Sequence, residues 1–420
     1  MWPSRTKLSL IAAAATAALL AGCSGSSGTP AASSPRSTHA PAAESSVSSP
    51  SHSSAPHLPV TSSTSATSSR TATPSRPKKP GSVTVAVSGD EIPHPAVLAA
   101  ARRGTGWDFG PIFAQVAPVI RSADVAICQL ETPLGATGAN LSHGFIMGAP
   151  AAFATGLKRA GFDGCSTANN HTFDQNLSGV RDTRTIMARA GLQAAGPGPD
   201  AAHPGQPAIY HAHGFTIAQL SYSYTLDNTV GNTRHIPASA PWTKANLYDV
   251  IGASGIEADA RAARAQGADL VLVSMHWGEE QDQHTTDEQR RFAKELLSSG
   301  TVDYIIGNHP HVVQRCQRID GRMVNYSLGN ALSDQTAGIV AYGGTVSTQA
   351  AQDGMIALVT FTRDAAGRVT STEKFQPTRV DRAHGYVIRP VSRTSDPASW
   401  QRTTSVVTSG GNSCDAKPVS

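Results

Sequence analysis

The sequence lacks most familiar catalytic signatures, and each absence argues against a chemistry. There is no Gly-x-Ser-x-Gly turn, which disfavours a serine-elbow hydrolase. Ser-x-x-Lys occurs at Ser4–Lys7, Ser75–Lys78 and Ser371–Lys374, but no Lys-Thr-Gly accompanies it. No glycine-rich phosphate loop with a following lysine is found, and no dinucleotide-type glycine pattern opens a helix after a strand. Cysteine is scarce, five in 420 residues, and none is placed to supply thiolate ligands. Excess positive charge is also missing where it would matter. The chain is formally +4, but residues 1–23 contribute +2 and residues 24–80 contribute +4, leaving −2 from Gly81 onward. Nucleic acid is therefore not an expected partner.

Large apolar side chains are nearly absent from Ser24 to Pro80, a stretch of Ser, Thr, Pro and Ala. Such a segment cannot bury enough surface to offset its ordering entropy, so residues 24–80 are expected to form a disordered stalk. Its basic residues suit contact with anionic envelope polymers or lipid headgroups. Before it, Arg5 and Lys7 precede the apolar run Leu8–Leu20, which is too short for a membrane span and fits a secretion signal over residues 1–23. Leu20-Ala21-Gly22-Cys23 resembles the bacterial lipobox, implying a lipidated Cys23 and an extracytoplasmic membrane anchor; an ordinary signal with a chance cysteine is the alternative. An exported chain can form disulfides. Cys316–Cys414 is the expected pair, with Cys128 and Cys165 as buried free thiols.

From Gly81 strands and helices alternate. Val83–Val87, Val125–Cys128, Gly164–Thr167, Asp269–Met275 and Tyr304–Ile306 read as buried strands. Helical stretches are expected at Ile112–Ser122, Pro150–Ala160, Leu177–Ala190, Glu257–Gln266 and Asp287–Ser299. Hairpins are expected at Ala208–Ser221, Gln317–Tyr326 and Met355–Phe375, a long surface insertion over Thr225–Val250, and a patternless tail over residues 391–420. The pattern over residues 81–390 predicts an α/β domain, a largely parallel core with added antiparallel hairpins, flanked by helices.

Polar residues cluster where these strands end: Asp90, Glu131, Asn170-His171, His276, and His309 with His311 across Pro310. The carboxyl edge of such a sheet is where ligands bind. Two carboxylates, one amide and three imidazoles suit Mn²⁺, Zn²⁺ or Fe²⁺, with His171 to spare for acid–base work. Locally each has a plainer reading. Asp90 fits a turn or helix cap, Glu131 a solvated glutamate, Asn170 an Asx turn, and the histidine pair a polar loop.

The order of these motifs resembles the CapA family of bacterial poly-γ-glutamate capsule synthesis proteins, similar in fold to calcineurin-like metallophosphoesterases. The resemblance covers roughly Val83–Phe375 through Gly89-Asp90, Leu130-Glu131, Ala168–His171 with Asp174, His276–Gly278 with Glu280, Gly307–His311 and Tyr326–Asn330. It implies two divalent metal ions, Asp90 and His311 holding one and Asn170, His276 and His309 the other, with Glu131 bridging. His171 would protonate a leaving oxygen, and Asp174, Glu280 and Asn330 would support the ligands or face substrate. The implied partners are a phosphoester substrate or an anionic envelope polymer, and capsule synthase or exporter proteins. A non-catalytic role, holding polymer or synthase in the same pocket, is the rival expectation. The sequence departs from the family at Gln129, Asn308 and Ala331. Ile92 occupies the second position of the usual Asp-x-His pair, with His94 displaced nearby.

Overall fold

A computed structural model describes residues 79–228, 236–336 and 349–419. The leader with Cys23, and the stalk up to residue 78, lie outside the described residues.

Alternation along the first strand shows how the layers form. Val83, Val85 and Val87 point into one apolar cluster with Ile217, Leu270, Leu272 and Ile306. Ala86 points the other way, into a cluster with Val97, Phe153, Leu157 and Met187 from helices Pro95–Ala101, Ala152–Ala160 and Asn176–Ala190. Val271, Val273 and Ile305 turn their backs on the first cluster and meet Ile256, Phe292 and Leu296 from helices Tyr248–Ala265 and Asp287–Ser298. Successive side chains on a strand face opposite sides, so two stacked sheets each need an outer helical cover. The result is helix, sheet, sheet, helix: the alternation predicts the helical covers, and the division of the strands into two sheets is a finding of the structure.

The first sheet runs Val387–Pro390, Val369–Asp381, Asp353–Arg363, Gly81–Glu91, Val125–Leu130, Gly164–Ser166, Gln193–Asp200, His203–Gln206. The second runs Cys316–Ile319, Arg322–Asn325, Tyr304–Asn308, Leu270–His276, Phe215–Ser223, Ala208–Ala212. Parallel pairing sets the ends level: Glu91 lies against Leu130, Cys128 against Cys165, and His276 against both Asn308 and Ser223. The polar residues that follow these strands therefore arrive at one edge.

Several local expectations are corrected. Cys128 and Cys165 are not free thiols but form a disulfide, their Cα atoms 4.4 Å apart as register partners on adjacent strands. Cys316 and Cys414 are also bonded. Ile112–Ser122 is not one helix; helical turns Gly110–Phe113 and Ala117–Ile120 flank a break. The insertion after Thr225 is not a surface excursion in its described parts, since Leu226, Ala240 and Leu247 are buried with Ala168, Phe173 and Val180. Residues beyond Pro390 are folded as well. Asp396 caps helix Pro397–Val407 by accepting the Ser399 N–H at 3.0 Å, and Lys417–Pro418 pairs with Val369–Asp381.

Candidate metal centre

Asp90 owes its position to a close crossing. Its N–H donates to the Gly329 carbonyl at 3.0 Å, and a Cβ on Gly89 would stand 1.8 Å from that oxygen. Only glycine allows this approach. Glu131 follows its strand directly, its N–H donating to the Glu91 carbonyl at 3.3 Å. The Asn170-His171 loop is fixed by Asn169, which donates from Nδ2 to the Leu130 carbonyl at 2.8 Å and accepts the His171 N–H at 3.0 Å. His309 and His311 both occupy the left-handed region, at φ +98° and +57°. Such conformations cost on the order of 1–3 kcal/mol and persist where surroundings dictate them. Here the His309 N–H donates to Asp90 Oδ2 at 3.2 Å and the Gln281 N–H to the Pro310 carbonyl at 2.7 Å.

These loops bring Asp90, Glu131, Asn170, His276, His309 and His311 into one buried cluster. His276 Nε2 lies 3.0 Å from Asn170 Oδ1 and 3.5 Å from Glu131 Oε1. His311 Nε2 lies 3.7 Å from the same glutamate oxygen, while its Nδ1 is 3.2 Å from Asp90 Oδ2. The His276 and His309 rings are 4.7 Å apart between centroids. Potential ligand atoms of Glu131, His309 and His311 all lie within 4.8 Å of one another, as do those of Asp90, Glu131 and His276. Glu131 is common to both groups.

The donor set fits divalent cations on two counts. Both carboxylate oxygens of Glu131, Asp90 Oδ1 and His309 Nδ1 are buried without a hydrogen-bond partner. Buried groups of this kind are ordinarily satisfied, because an unpaired one costs about 1–3 kcal/mol. The electrostatics agree. Burial, then the adjacent Asp90 charge, pushes the Glu131 carboxyl well above its usual range. Burial, then the neighbouring imidazoles, holds His276 and His309 well below theirs, leaving neutral rings with lone pairs to offer. Burial also opposes protonation of His311, but Asp90 outweighs it and raises the pKa. Two carboxylates buried this close together repel each other, and bound cations would relieve that repulsion.

The remaining predicted residues surround this cluster. His171 Nδ1 is 2.6 Å from Asp174 Oδ2, which also accepts the Met147 N–H at 2.6 Å. Asn330 Oδ1 lies 3.1 Å from His311 Nδ1, and its amide donates to Gln335 and the Ala351 carbonyl, both at 2.9 Å. Glu280 lines an opening of 200 Å³ with His171 and His311, and its charge acts on Glu131. Sequence reasoning missed Tyr224, whose ring stacks 6.4 Å from His276 and 4.7 Å from His309. The available signal was its place directly after strand Phe215–Ser223, at the same sheet edge. Gln129, noted only as a departure, lies with Nε2 3.5 Å from His276 Nδ1 and accepts from the Ser166 hydroxyl.

The fold is thus a mixed α/β sandwich of two sheets, with carboxylate and imidazole groups gathered at its strand ends. Residues 84–335 match the family model of the bacterial capsule synthesis protein PGA_cap, and the chain belongs to that family. It is 29% identical over 180 residues to the PGA biosynthesis protein CapA of Bacillus subtilis, covering 43% of this chain and 44% of that protein. It is 27% identical over 234 residues to the capsule biosynthesis protein CapA of Bacillus anthracis, covering 55% of each. A probable polyglutamine synthesis accessory protein of Mycobacterium tuberculosis is 25% identical over 182 residues, covering 40% of this chain and 45% of that protein. The matches thus span about half the length of these curated relatives. Among solved structures, a phosphatase from Mycoplasma pneumoniae overlaps with TM-score 0.44 at 17% identity, covering 72% of this chain and 94% of that one. The calcineurin-like phosphoesterase YfkN of Bacillus subtilis overlaps with TM-score 0.39 at 12% identity, covering 78% and 97%.

Proposed function

We propose that the chain is an exported, lipid-anchored, metal-dependent phosphoester hydrolase that serves the synthesis of poly-γ-glutamate or a related anionic envelope polymer. The observation that carries the catalytic part is Glu131, a fully buried carboxylate with both oxygens unpartnered and three imidazoles around it. Asp90, Glu131, Asn170, His276, His309 and His311 would hold two divalent ions, manganese, zinc or iron. Ions held by these residues would supply an acidified water and a polarised phosphoryl oxygen.

The chain's own side chains do the rest. Asp174 accepts from His171 Nδ1, which fixes the ring and directs Nε2 away from that bond. His171 lines the opening, so Nε2 can deliver a proton to a leaving oxygen. Asn330 holds the His311 ring in place, and Asn169 ties the His171 loop to the strand that precedes Glu131. Tyr224 packs its ring against those of His309 and His276.

Metal analysis of the purified chain, followed by a generic phosphodiester assay with and without chelator, tests this. We expect stoichiometric metal and turnover that a chelator abolishes. His171→Ala should lose roughly 10²–10⁴-fold in kcat with metal content unchanged. Metal without turnover on any phosphoester would replace the hydrolase by a binding protein. The anchor is tested separately. A lipid on Cys23 would hold the chain at the membrane, and Cys23→Ser should release it from the membrane fraction. Retention of that variant would remove the lipid anchor from the proposal.

A further inference from the structure

Three large apolar side chains stand exposed among the described residues, Phe145, Ile209 and Val250. A lone surface hydrophobe needs no explanation by itself. Phe145 differs in degree and in place. It is 81% exposed, against 36% and 43% for the other two, and it lines the same 200 Å³ opening as His171, His311 and Glu280.

The ring is carried on a tight turn whose base is held by the loop bearing His171. His143 and Ile146 exchange backbone hydrogen bonds at 2.9 and 3.0 Å around Gly144-Phe145, and Gly144 takes φ +53° to close the turn. Below them the Ser142 N–H donates to the Gly148 carbonyl at 2.9 Å, and the Gly148 N–H to the Ser142 hydroxyl at 3.0 Å. The Met147 N–H donates to Asp174 Oδ2, the oxygen that also accepts from His171 Nδ1. Gln175 Nε2 donates to the Asn140 and Met147 carbonyls at 3.0 and 2.9 Å, joining the two sides of the turn. The residues that orient His171 therefore also keep Phe145 beside the opening.

Charge narrows what that ring can meet. The acids lining the opening are Glu280 and Asp334, the second matched by Arg382 at 2.7 Å, and no lysine or arginine is among the described lining residues. An anionic group at this mouth would face Glu280, whereas an uncharged apolar group would cover the Phe145 ring and remove both surfaces from water. We propose that Phe145 is a substrate-binding residue that receives the organic group attached to the leaving oxygen, and that this group is uncharged and apolar. It rests on the phosphoester function proposed above, in which His171 protonates that oxygen. Because Asp174 ties His171 to the turn, the group on that oxygen lies on the side of the opening where Phe145 stands. The metal centre takes the phosphoryl charge, and the aromatic ring selects the ester.

The test uses the manganese-loaded full chain with ethyl, hexyl and benzyl phosphate and the phosphate ester of 3-hydroxypropionate, which adds a carboxylate. In wild type, kcat/KM for the hexyl and benzyl esters should exceed that for ethyl about tenfold or more, with the carboxylate ester lowest. Phe145→Ser should bring the hexyl-to-ethyl and benzyl-to-ethyl ratios to within roughly threefold of one, with manganese content and melting temperature unchanged. Phe145→Leu should keep most of the hexyl preference. A second arm measures hexylphosphonate and methylphosphonate binding to the same proteins by calorimetry, where the tighter binding of the hexyl compound should vanish in Phe145→Ser. If wild type turns over no phosphoester but shows this difference in binding, the hydrolase proposal fails and the Phe145 assignment stands. Turnover without an apolar preference, or a preference that survives Phe145→Ser, would overturn the assignment and leave the hydrolase. Loss of manganese in Phe145→Ser would mark a structural role and overturn it too, as would absence of both turnover and phosphonate binding in wild type.

Discussion

Glu131 and Asp353 are both buried carboxylates in the same sheet region, and their surroundings are opposite. Asp353 accepts from the Ser399 hydroxyl at 2.7 Å, Arg402 Nε at 2.7 Å and Arg402 Nη2 at 3.1 Å. Asp303 is treated alike, accepting from Arg264 at 2.6 Å and the Val271 N–H at 2.7 Å. Glu131 has no donor on either oxygen. Where the chain uses a buried acid to join its own parts, it supplies the partner; at the strand ends it leaves the acid unmatched. Burial alone thus does not distinguish scaffold from site. Whether the counter-charge is encoded in the polypeptide does.

The largest effect should come from removing the unmatched acid. Glu131→Gln should lower metal affinity well beyond the ~100-fold typical when only a ligand's supporting partner is lost. The same substitution should raise the stability of the metal-free protein by about 1–3 kcal/mol, because an unsatisfied buried charge disappears. Chemical denaturation with and without chelator reads both, and a destabilised metal-free variant would erase the contrast with Asp353. Next in size, Glu373→Gln should flatten the pH dependence of stability. Burial raises the Glu373 carboxyl from 4.5 to about 7, partly opposed by the Asn325 amide. The folded state then holds its proton more tightly than the unfolded chain, so stability present below 4.5 is lost as pH rises to about 7. At ~1.4 kcal/mol per pKa unit the full swing is at most about 3 kcal/mol, and the glutamine variant should show none of it.

Breaking a matched pair should act oppositely to Glu131→Gln. Arg402→Ala, its side chain 28% exposed, should cost about 2 kcal/mol in denaturant unfolding and leave metal content intact. The smallest effect should follow from Asn330→Ala. His311 would keep Asp90 but lose its amide partner, weakening metal affinity about tenfold in competition with a chelator. An unchanged affinity would show that Asp90 alone orients the ring.

The strand ends were legible because their neighbours are plain. A run such as Leu270–Met275 admits little besides a buried strand, so a histidine directly after it marks the sheet edge. Register was not legible, which is why Cys128 and Cys165 read as separate buried thiols. Nothing in either strand says that the two stand side by side. The final helix was obscured by composition. Its inner face carries Trp400, Thr403 and Val407, with Ser399 beside them, too polar to stand out as an apolar stripe. Asp396-Pro397 was nevertheless a readable start signal. Tyr224 escaped for a third reason. It belongs to no recognisable motif, and gains its meaning only from rings that other segments bring near.

The return of the chain's last residues onto the central layers bears on how this protein can be handled. Cys414 is fully buried and bonded to Cys316, and Lys417–Pro418 completes an edge of the larger sheet. A purification handle fused directly after that edge would begin at a seam of the folded body. A trimmed expression version ending near Pro390 would expose apolar surface and orphan a thiol rather than shed a loose end. Engineering is better directed to the Ser/Thr/Pro-rich approach that precedes Gly81.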